Sequence, residues 1–178
     1  MRSSRIAVCA ALAITLAAAP LTFAGLFKPD RPARGLTITA RPSQARPAVG
    51  GIMRVRVHVE GARGVGGVPF SLAYDPAILE FLPSESLEGT FLRRDGASTT
   101  FLARAGRARD GRTAVIVGLS RLGGRGVSGK GTLCELAFRV RGAGVSSLSF
   151  ARAQALDTAA RQIPARFVGS SVRTRGAP

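Results

Sequence analysis

Residues 66–81 read Gly-Gly-Val-Pro-Phe-Ser-Leu-Ala-Tyr-Asp-Pro-Ala-Ile-Leu-Glu-Phe and join a strand pattern to a turn signal. The large apolar side chains share one face of the predicted strand: Val68, Phe70, Leu72 and Tyr74. The opposite face carries Pro69, Ser71 and Ala73. Asp75-Pro76 ends the strand, because proline lacks a backbone N–H and aspartate bonds nearby N–H groups. A second apolar run follows at 78–82, which predicts an edge or corner of a two-sheet antiparallel β-sandwich.

The rest of the chain repeats this short-strand pattern and indicates an all-β fold. Further strands are predicted at 36–40, 52–60, 101–102, 113–120, 132–141, 147–151 and 161–168, which gives about eight or nine in total. The strand at 113–120 is apolar on both faces, so it is either central and covered on both sides or meets a partner. Residues 83–94 favour a short helix and a long loop equally, and 123–131 is predicted to be a flexible connection.

The ends of the chain are predicted to lie outside the folded domain. Arg2 and Arg5 precede an apolar run that ends in a small-x-small site, which is typical of a secretory signal peptide over 1–24 with cleavage between Ala24 and Gly25. A linker is expected at 25–35, the sandwich at 36–168, and a flexible tail at 169–178. Since no other run is long and apolar enough to span a bilayer, we expect an exported protein without a membrane span, periplasmic or extracellular.

The formal net charge is +16, and all but two of the 26 basic residues are arginine. Such a charge favours acidic partners, including nucleic acid. Nucleic acid is not expected, because the chain is predicted to be exported, has one tyrosine and no tryptophan for base stacking, and lacks a helix-turn-helix or finger spacing. An acidic polysaccharide or an anionic envelope surface is a more credible binding partner for this charge than nucleic acid.

Catalysis has little support in the sequence. His58, the single histidine, falls on the polar face of a predicted strand, where a solvated side chain is expected rather than a general base. Cys134 is predicted to be a small buried hydrophobe that shares a face with Thr132 and Leu136. The densest acidic group, Glu80, Glu85 and Glu88, is expected to be solvated or to meet a partner. No metal-ligand spacing occurs, so we expect no enzyme activity, cofactor or metal.

Three segments resemble the cohesin family, β-sandwich modules that bind dockerin domains on scaffoldins. Residues 67–81 resemble the family's early-strand signature, Gly-Val-x-Phe-x-Leu-x-Tyr-Asp-Pro-x-x-Leu-Glu-Phe. Residues 127–140 are similar to its Ser-Gly-x-Gly turn followed by an alternating strand. Asp110-Gly111 before 113–119 matches its Asp-Gly turn before a central strand. The resemblance covers roughly residues 36–168.

The resemblance implies a jelly-roll sandwich and a non-catalytic role in binding. A flat outer sheet face would dock a dockerin-like exported protein, and the small outward residues that allow close approach are Ser71, Ala73, Ala114, Ile116 and Gly118. Related sandwiches include carbohydrate-binding modules, so a polysaccharide ligand and a role in polysaccharide degradation stay open. A structural or interaction subunit of a cell-envelope secretion or pilus apparatus is the alternative.

Overall fold

The computed structural model describes residues 35–176, and these form a β-sandwich. The predicted signal peptide, its cleavage site at Ala24 and Gly25, and the linker up to residue 34 lie outside the described residues. The strands are β1 (Leu36–Pro42), β2 (Ile52–Val65), β3 (Phe70–Ala73), β4 (Leu79–Glu88), β5 (Thr99–Arg107), β6 (Thr113–Arg121), β7 (Val127–Val140), β8 (Gly144–Ala153), β9 (Ala155–Leu156), β10 (Gln162–Ile163), β11 (Ala165–Val168) and β12 (Ser170–Thr174). A short 3-10 helix, Arg94–Gly96, precedes β5.

Two five-stranded sheets make up the sandwich. The first sheet has the order β11-β1-β2-β7-β4, and the second sheet has the order β12-β8-β3-β6-β5. Neighbouring strands are antiparallel except β1 and β11, which are parallel. Most connections cross from one sheet to the other, which gives the jelly-roll topology. The predicted fold class is therefore confirmed. The described residues contain more strands than the sequence predicts, because β9 and β12 were not predicted and the predicted strand at 161–168 is divided into β10 and β11.

The core lies between the sheets and is built from alternate residues of each strand. In β2, Met53, Val55, Val57 and Val59 are fully buried, while the intervening side chains point away from the core. Aromatic rings join the two sheets across the core. Tyr74, which follows β3, and Phe138 of β7 have ring centroids 5.2 Å apart in an edge-to-face arrangement, and those of Phe150 in β8 and Phe167 in β11 are 5.4 Å apart.

The turn signal at Asp75 carries the chain from one sheet to the other. The Asp75 Oδ1 atom accepts a hydrogen bond from the Ala77 N–H at 2.9 Å, and its carbonyl accepts one from the Leu79 N–H at 2.9 Å. The Ser146 hydroxyl accepts from the Asp75 N–H at 3.0 Å. These bonds fix the corner between β3 and β4, as the sequence predicts.

Residues 83–94 divide into two halves, since 83–88 are strand, which neither predicted alternative gives, and 89–93 are an irregular connection. β4 runs on to Glu88, with an irregularity between Leu82 and Leu87. The Ser86 hydroxyl donates to the Leu82 carbonyl at 2.9 Å and accepts from the Ala137 N–H of β7 at 3.1 Å. The Ser86 hydroxyl thus takes the place of a backbone acceptor for the Ala137 N–H, and the segment stays hydrogen-bonded to the sheet.

β7 is longer and less regular than predicted. It begins at Val127, inside the segment predicted to be a flexible connection. A register shift opposite Val57 and His58 pairs Cys134 with Val57 and Thr132 with His58. Cys134 therefore points into the core, whereas Thr132 lies on the outer face beside His58. The prediction that Cys134 and Thr132 share a face is wrong because the bulge reverses the alternation.

The predicted tail, 169–178, contains a strand. β12 (Ser170–Thr174) pairs with β8 along its whole length, and Val172 is fully buried. The Thr174 hydroxyl donates to the Gly142 carbonyl at 2.7 Å. The tail is therefore shorter than the sequence predicts, because the buried side chains of Val172 and Thr174 and the pairing with β8 hold this segment on the edge of the sheet.

Over residues 35–176, the chain forms no helix with the length and apolar character needed to cross a membrane.

Candidate functional site

The outer face of the second sheet collects all five residues predicted to meet a partner. In the antiparallel register of β3 and β6, Ser71 lies opposite Ile116 and Ala73 lies opposite Ala114. Gly118 follows two residues after Ile116 and therefore points to the same side. The β3 residues Phe70 and Leu72, which alternate with this set, are buried in the core.

A turn from β5 to β6 covers part of this face. Ala73 and Ala114 are 1% and 0% exposed, and both pack against Ala108 in that turn. The Ala108 N–H donates to the Arg112 carbonyl at 2.7 Å, and the Arg112 guanidinium donates to the Ser149 hydroxyl of β8 at 2.8 Å. The turn is thus held down on the sheet. Ile116 and Gly118, which are partly exposed, form the accessible part of the predicted set.

Two exposed apolar side chains lie on the same face, and neither belongs to the set predicted from the sequence. Leu102 of β5 is 54% exposed and lies opposite Gly118, and Val145 of β8 is 53% exposed. Gly118 leaves open space around Leu102, since a Cβ atom at Gly118 would come no nearer than 4.0 Å to the Leu102 Cβ. The strand alternation of β5 is the signal that would have found Leu102, because Phe101 and Ala103 on either side of it pack on the core.

One row of residues crosses four strands of this face and defines a cleft. In the strand register, Arg104, Ile116, Ser71 and Arg152 lie side by side on β5, β6, β3 and β8. Since adjacent strands are about 4.8 Å apart, the backbones of Arg104 and Arg152 are separated by roughly 14 Å.

The cleft over this row has a volume of about 520 Å³. Four of its lining residues are the exposed Arg104, Arg107, Arg109 and Arg152, and we call it the arginine cleft. Its lining, drawn from the described part of the chain, includes no acidic residue. The cleft is not visible in the sequence because its arginines are separated along the chain.

His58 lies on the opposite side of the molecule, on the outer face of the first sheet. Its side chain is only 19% exposed, so it is more covered than the solvated residue that the sequence predicts. Burial lowers the His58 pKa, and the Arg41 guanidinium lowers it further, which favours the neutral imidazole. The nearby Glu60 and Glu135 each accept a hydrogen bond from an arginine, Arg41 at 2.9 Å and Arg56 at 2.8 Å. The carboxylates near His58 are thus held in ion pairs.

Cys134 and the glutamates of β4 are the other titratable groups that the sequence singles out. Cys134 is fully buried, as predicted, and burial raises the pKa of its thiol. Glu80 and Glu88 lie at opposite ends of β4, where they face Arg139 and Arg93, each at 3.9 Å. Among residues 35–176, no group of three or more His, Cys, Asp or Glu side chains is placed to hold a metal ion.

The architecture is that of cohesin domains. The chain aligns with a non-cellulosomal cohesin from Archaeoglobus fulgidus with a TM-score of 0.61 and 22% identity, over 79% of this chain and 91% of that chain. A type II cohesin module from an adaptor scaffoldin of Acetivibrio cellulolyticus aligns with a TM-score of 0.65 and 14% identity, over 82% of this chain and 92% of that chain.

A third similar structure contains a partner. It is a type I cohesin–dockerin complex from Clostridium thermocellum, and it aligns with a TM-score of 0.62 and 16% identity, over 80% of this chain and 95% of that chain. At these identities the likeness establishes a cohesin-like fold. No family model matches the sequence, and no curated protein matches it.

Proposed function

We propose that this chain is an exported, non-catalytic binding module that docks a dockerin-like exported protein on the outer face of its second sheet. The observation that carries the proposal is the composition of that face. Ile116 and Leu102 lie beside Gly118 and Ser71 on a rigid sheet, with arginines around them. Protein interfaces commonly have this arrangement of an apolar centre within a polar rim, with arginine enriched.

The rigidity of the face supports a protein partner. Its residues lie on hydrogen-bonded strands, and Arg112 ties the β5–β6 turn to Ser149. A preordered surface loses little conformational entropy on binding. Structures with the same fold include cohesins in complex with dockerins, which adds support for a partner of that class.

Sugar recognition has less support on this surface. Sugar-binding platforms commonly stack aromatic rings on the faces of pyranose rings. In the described part of the chain, Tyr74 and four phenylalanines are buried, and the remaining phenylalanines, Phe101, Phe150 and Phe167, pack against the core. We therefore place protein docking ahead of polysaccharide binding.

Export is proposed from the amino-terminal sequence. Residues 1–24 carry Arg2 and Arg5, an apolar run and the site before Gly25, which are typical of a cleaved signal peptide. The domain would then act in the periplasm or outside the cell. Amino-terminal sequencing of the protein recovered from outside the cytoplasm checks this step, and we expect Gly25 as the first residue.

The docking proposal is tested by capture of exported proteins from the source organism, with calcium and with a calcium chelator. We expect calcium-dependent capture, because dockerins fold around calcium loops. Leu102→Gln should weaken capture roughly five- to thirtyfold by removing an apolar contact from the face. Leu87→Gln is the matched control, since Leu87 is 55% exposed on β4 of the other sheet.

The identity of the captured protein decides the biological setting. A dockerin-bearing glycoside hydrolase supports a role in polysaccharide degradation, and a secretion or pilus component supports a structural role in the envelope. Retardation of the chain in polysaccharide gels, together with no protein capture, contradicts the proposal. Equal capture by the wild type and Leu102→Gln would place the docking surface elsewhere.

A further inference from the structure

The two sheets differ sharply in their acidic residues. The five strands of the second sheet contain five arginines and no aspartate or glutamate. The five strands of the first sheet contain seven basic residues and five glutamates. The excess positive charge of the chain is thus balanced in part on one sheet and unbalanced on the other.

On the first sheet, the arginines find partners within the chain. Arg41 pairs with Glu60 at 2.9 Å, Arg56 pairs with Glu135 at 2.8 Å, and Arg139 lies 3.9 Å from Glu80. These pairs join residues on the same face, so that surface presents both signs of charge to a partner.

The arginine cleft has no such compensation from the described residues. None of its four arginines makes an ion pair with a carboxylate within 35–176. Asp110 is the acidic residue next to Arg109 in the turn, but its carboxylate is already held by Arg112 at 2.7 Å. The guanidinium groups of Arg104 and Arg152 therefore stand exposed on either side of Ile116 and Ser71.

We propose that the occupant of the arginine cleft is an acidic segment of the partner protein, a step that rests on the docking function proposed above. Aspartate or glutamate side chains of that segment pair with Arg104 and Arg152, while its backbone lies over Ile116 and Ser71. Guanidinium groups bind carboxylates through two parallel hydrogen bonds, which fixes orientation as well as charge. Complementary charge of this kind also selects the partner and speeds association.

The cleft fits a peptide better than an acidic glycan. Its floor includes the apolar Ile116 and its neighbouring row presents Leu102, so a segment with mixed acidic and apolar side chains covers both. A uronic-acid chain would supply the carboxylates but would leave Leu102 uncovered. In addition, no aromatic ring of the described residues is exposed to stack on a sugar.

The test uses defined probes and the full exported chain. Binding of a short poly-L-glutamate peptide is titrated at physiological salt, with polygalacturonate as the acidic glycan. The test variant is Arg104→Gln with Arg152→Gln. The control is Arg46→Gln with Arg166→Gln, which makes the same change in net charge at two exposed arginines away from the cleft. We expect the test variant to bind poly-L-glutamate about three- to tenfold more weakly, and the control to change by less than about twofold.

Equal weakening by the two double variants would overturn the inference, because the binding would then depend on net charge alone. A larger loss of polygalacturonate binding than of peptide binding in the test variant would also overturn it, in favour of a glycan. The titration does not need the natural partner. If Leu102→Gln abolishes protein capture while the Arg104/Arg152 variant changes neither capture nor peptide binding, the docking function stands and the acidic occupant is wrong.

Discussion

Cys134 illustrates how one side chain reports on the packing of the sandwich. Its thiol is fully buried beside Val57 on the neighbouring strand, and Leu136 and Phe138 follow it on the core side of β7. Burial raises the thiol pKa, and the nearby Glu135 and Glu88 carboxylates raise it further. The folded chain therefore keeps this thiol neutral and unreactive.

This burial predicts a specific dependence of stability on pH. In the unfolded chain the thiol ionises near its ordinary pKa of 9.0, whereas in the folded chain it stays protonated. The folded state then binds more protons, so its stability falls as the pH rises above 9.0. The loss from this group reaches about 1.4 kcal/mol one pH unit higher.

Cys134→Ala separates this contribution from those of other groups. The variant is expected to be less stable at neutral pH, since it loses buried volume, but the difference from the wild type should shrink between pH 9 and pH 11. Urea unfolding across this range measures it. Parallel pH profiles for the two proteins, or rapid reaction of native Cys134 with a thiol reagent, would contradict the buried neutral thiol.

For single residues, the sequence predicted a turn that depends on neighbouring residues, but it did not predict which outward side chains a distant segment would bury. The Asp75-Pro76 turn follows from the properties of those two residues, and the structure forms it with bonds inside the turn. Ala73 and Ala114 were predicted to be outward, and they are, but Ala108 covers them. Nothing in the local pattern shows that a turn will fold back onto its own sheet.

β12 is a strand that the sequence did not predict. Its five residues, Ser170–Thr174, are small, β-branched or basic, and they pair with β8 around the buried Val172 and Thr174. Val172→Ala is expected to lower the free energy of unfolding by about 2 kcal/mol, because it removes buried apolar volume.

Ser171→Ala is the matched control for β12. Ser171 is exposed on the same strand and faces outward, so its replacement should change stability by less than about 0.5 kcal/mol. Thermal or urea unfolding of the two variants compares them. If Val172→Ala were as stable as Ser171→Ala, this segment would be a fraying tail, as the sequence predicted.

Element boundaries also went wrong where a bulge interrupts a strand. Residues 83–86 look like a loop because they are polar and contain Pro83, yet Ser86 holds them to β7. Thr132 is two residues before Cys134, so a regular strand would place both side chains on one face, but the register shift near Cys134 turns Thr132 to the outer face. Period-two patterns identify regular strands well, but one extra residue reverses every later assignment.

For the whole molecule, the cohesin-like sandwich could be predicted from the sequence, but the residues that meet on its outer faces could be predicted only in part. Alternation, the corner at Asp75 and the turn at Asp110 indicate the fold, and they are local. The arginine cleft combines residues from four strands and a turn, and its arginines alone lie up to 48 positions apart, from Arg104 to Arg152. Only the strand order brings these residues together.

Labelling at single positions tests the docking face most directly, because the buried Cys134 leaves introduced cysteines as the reactive ones. In a Cys9→Ser background, Leu102→Cys and Leu87→Cys place one exposed thiol on each sheet. Each variant is assayed for calcium-dependent capture of the exported partner before and after reaction with a bulky maleimide. We predict that the label at position 102 abolishes capture and that the label at position 87 leaves it unchanged. Capture that survives the label at 102, or is lost only with the label at 87, would contradict docking on the second sheet.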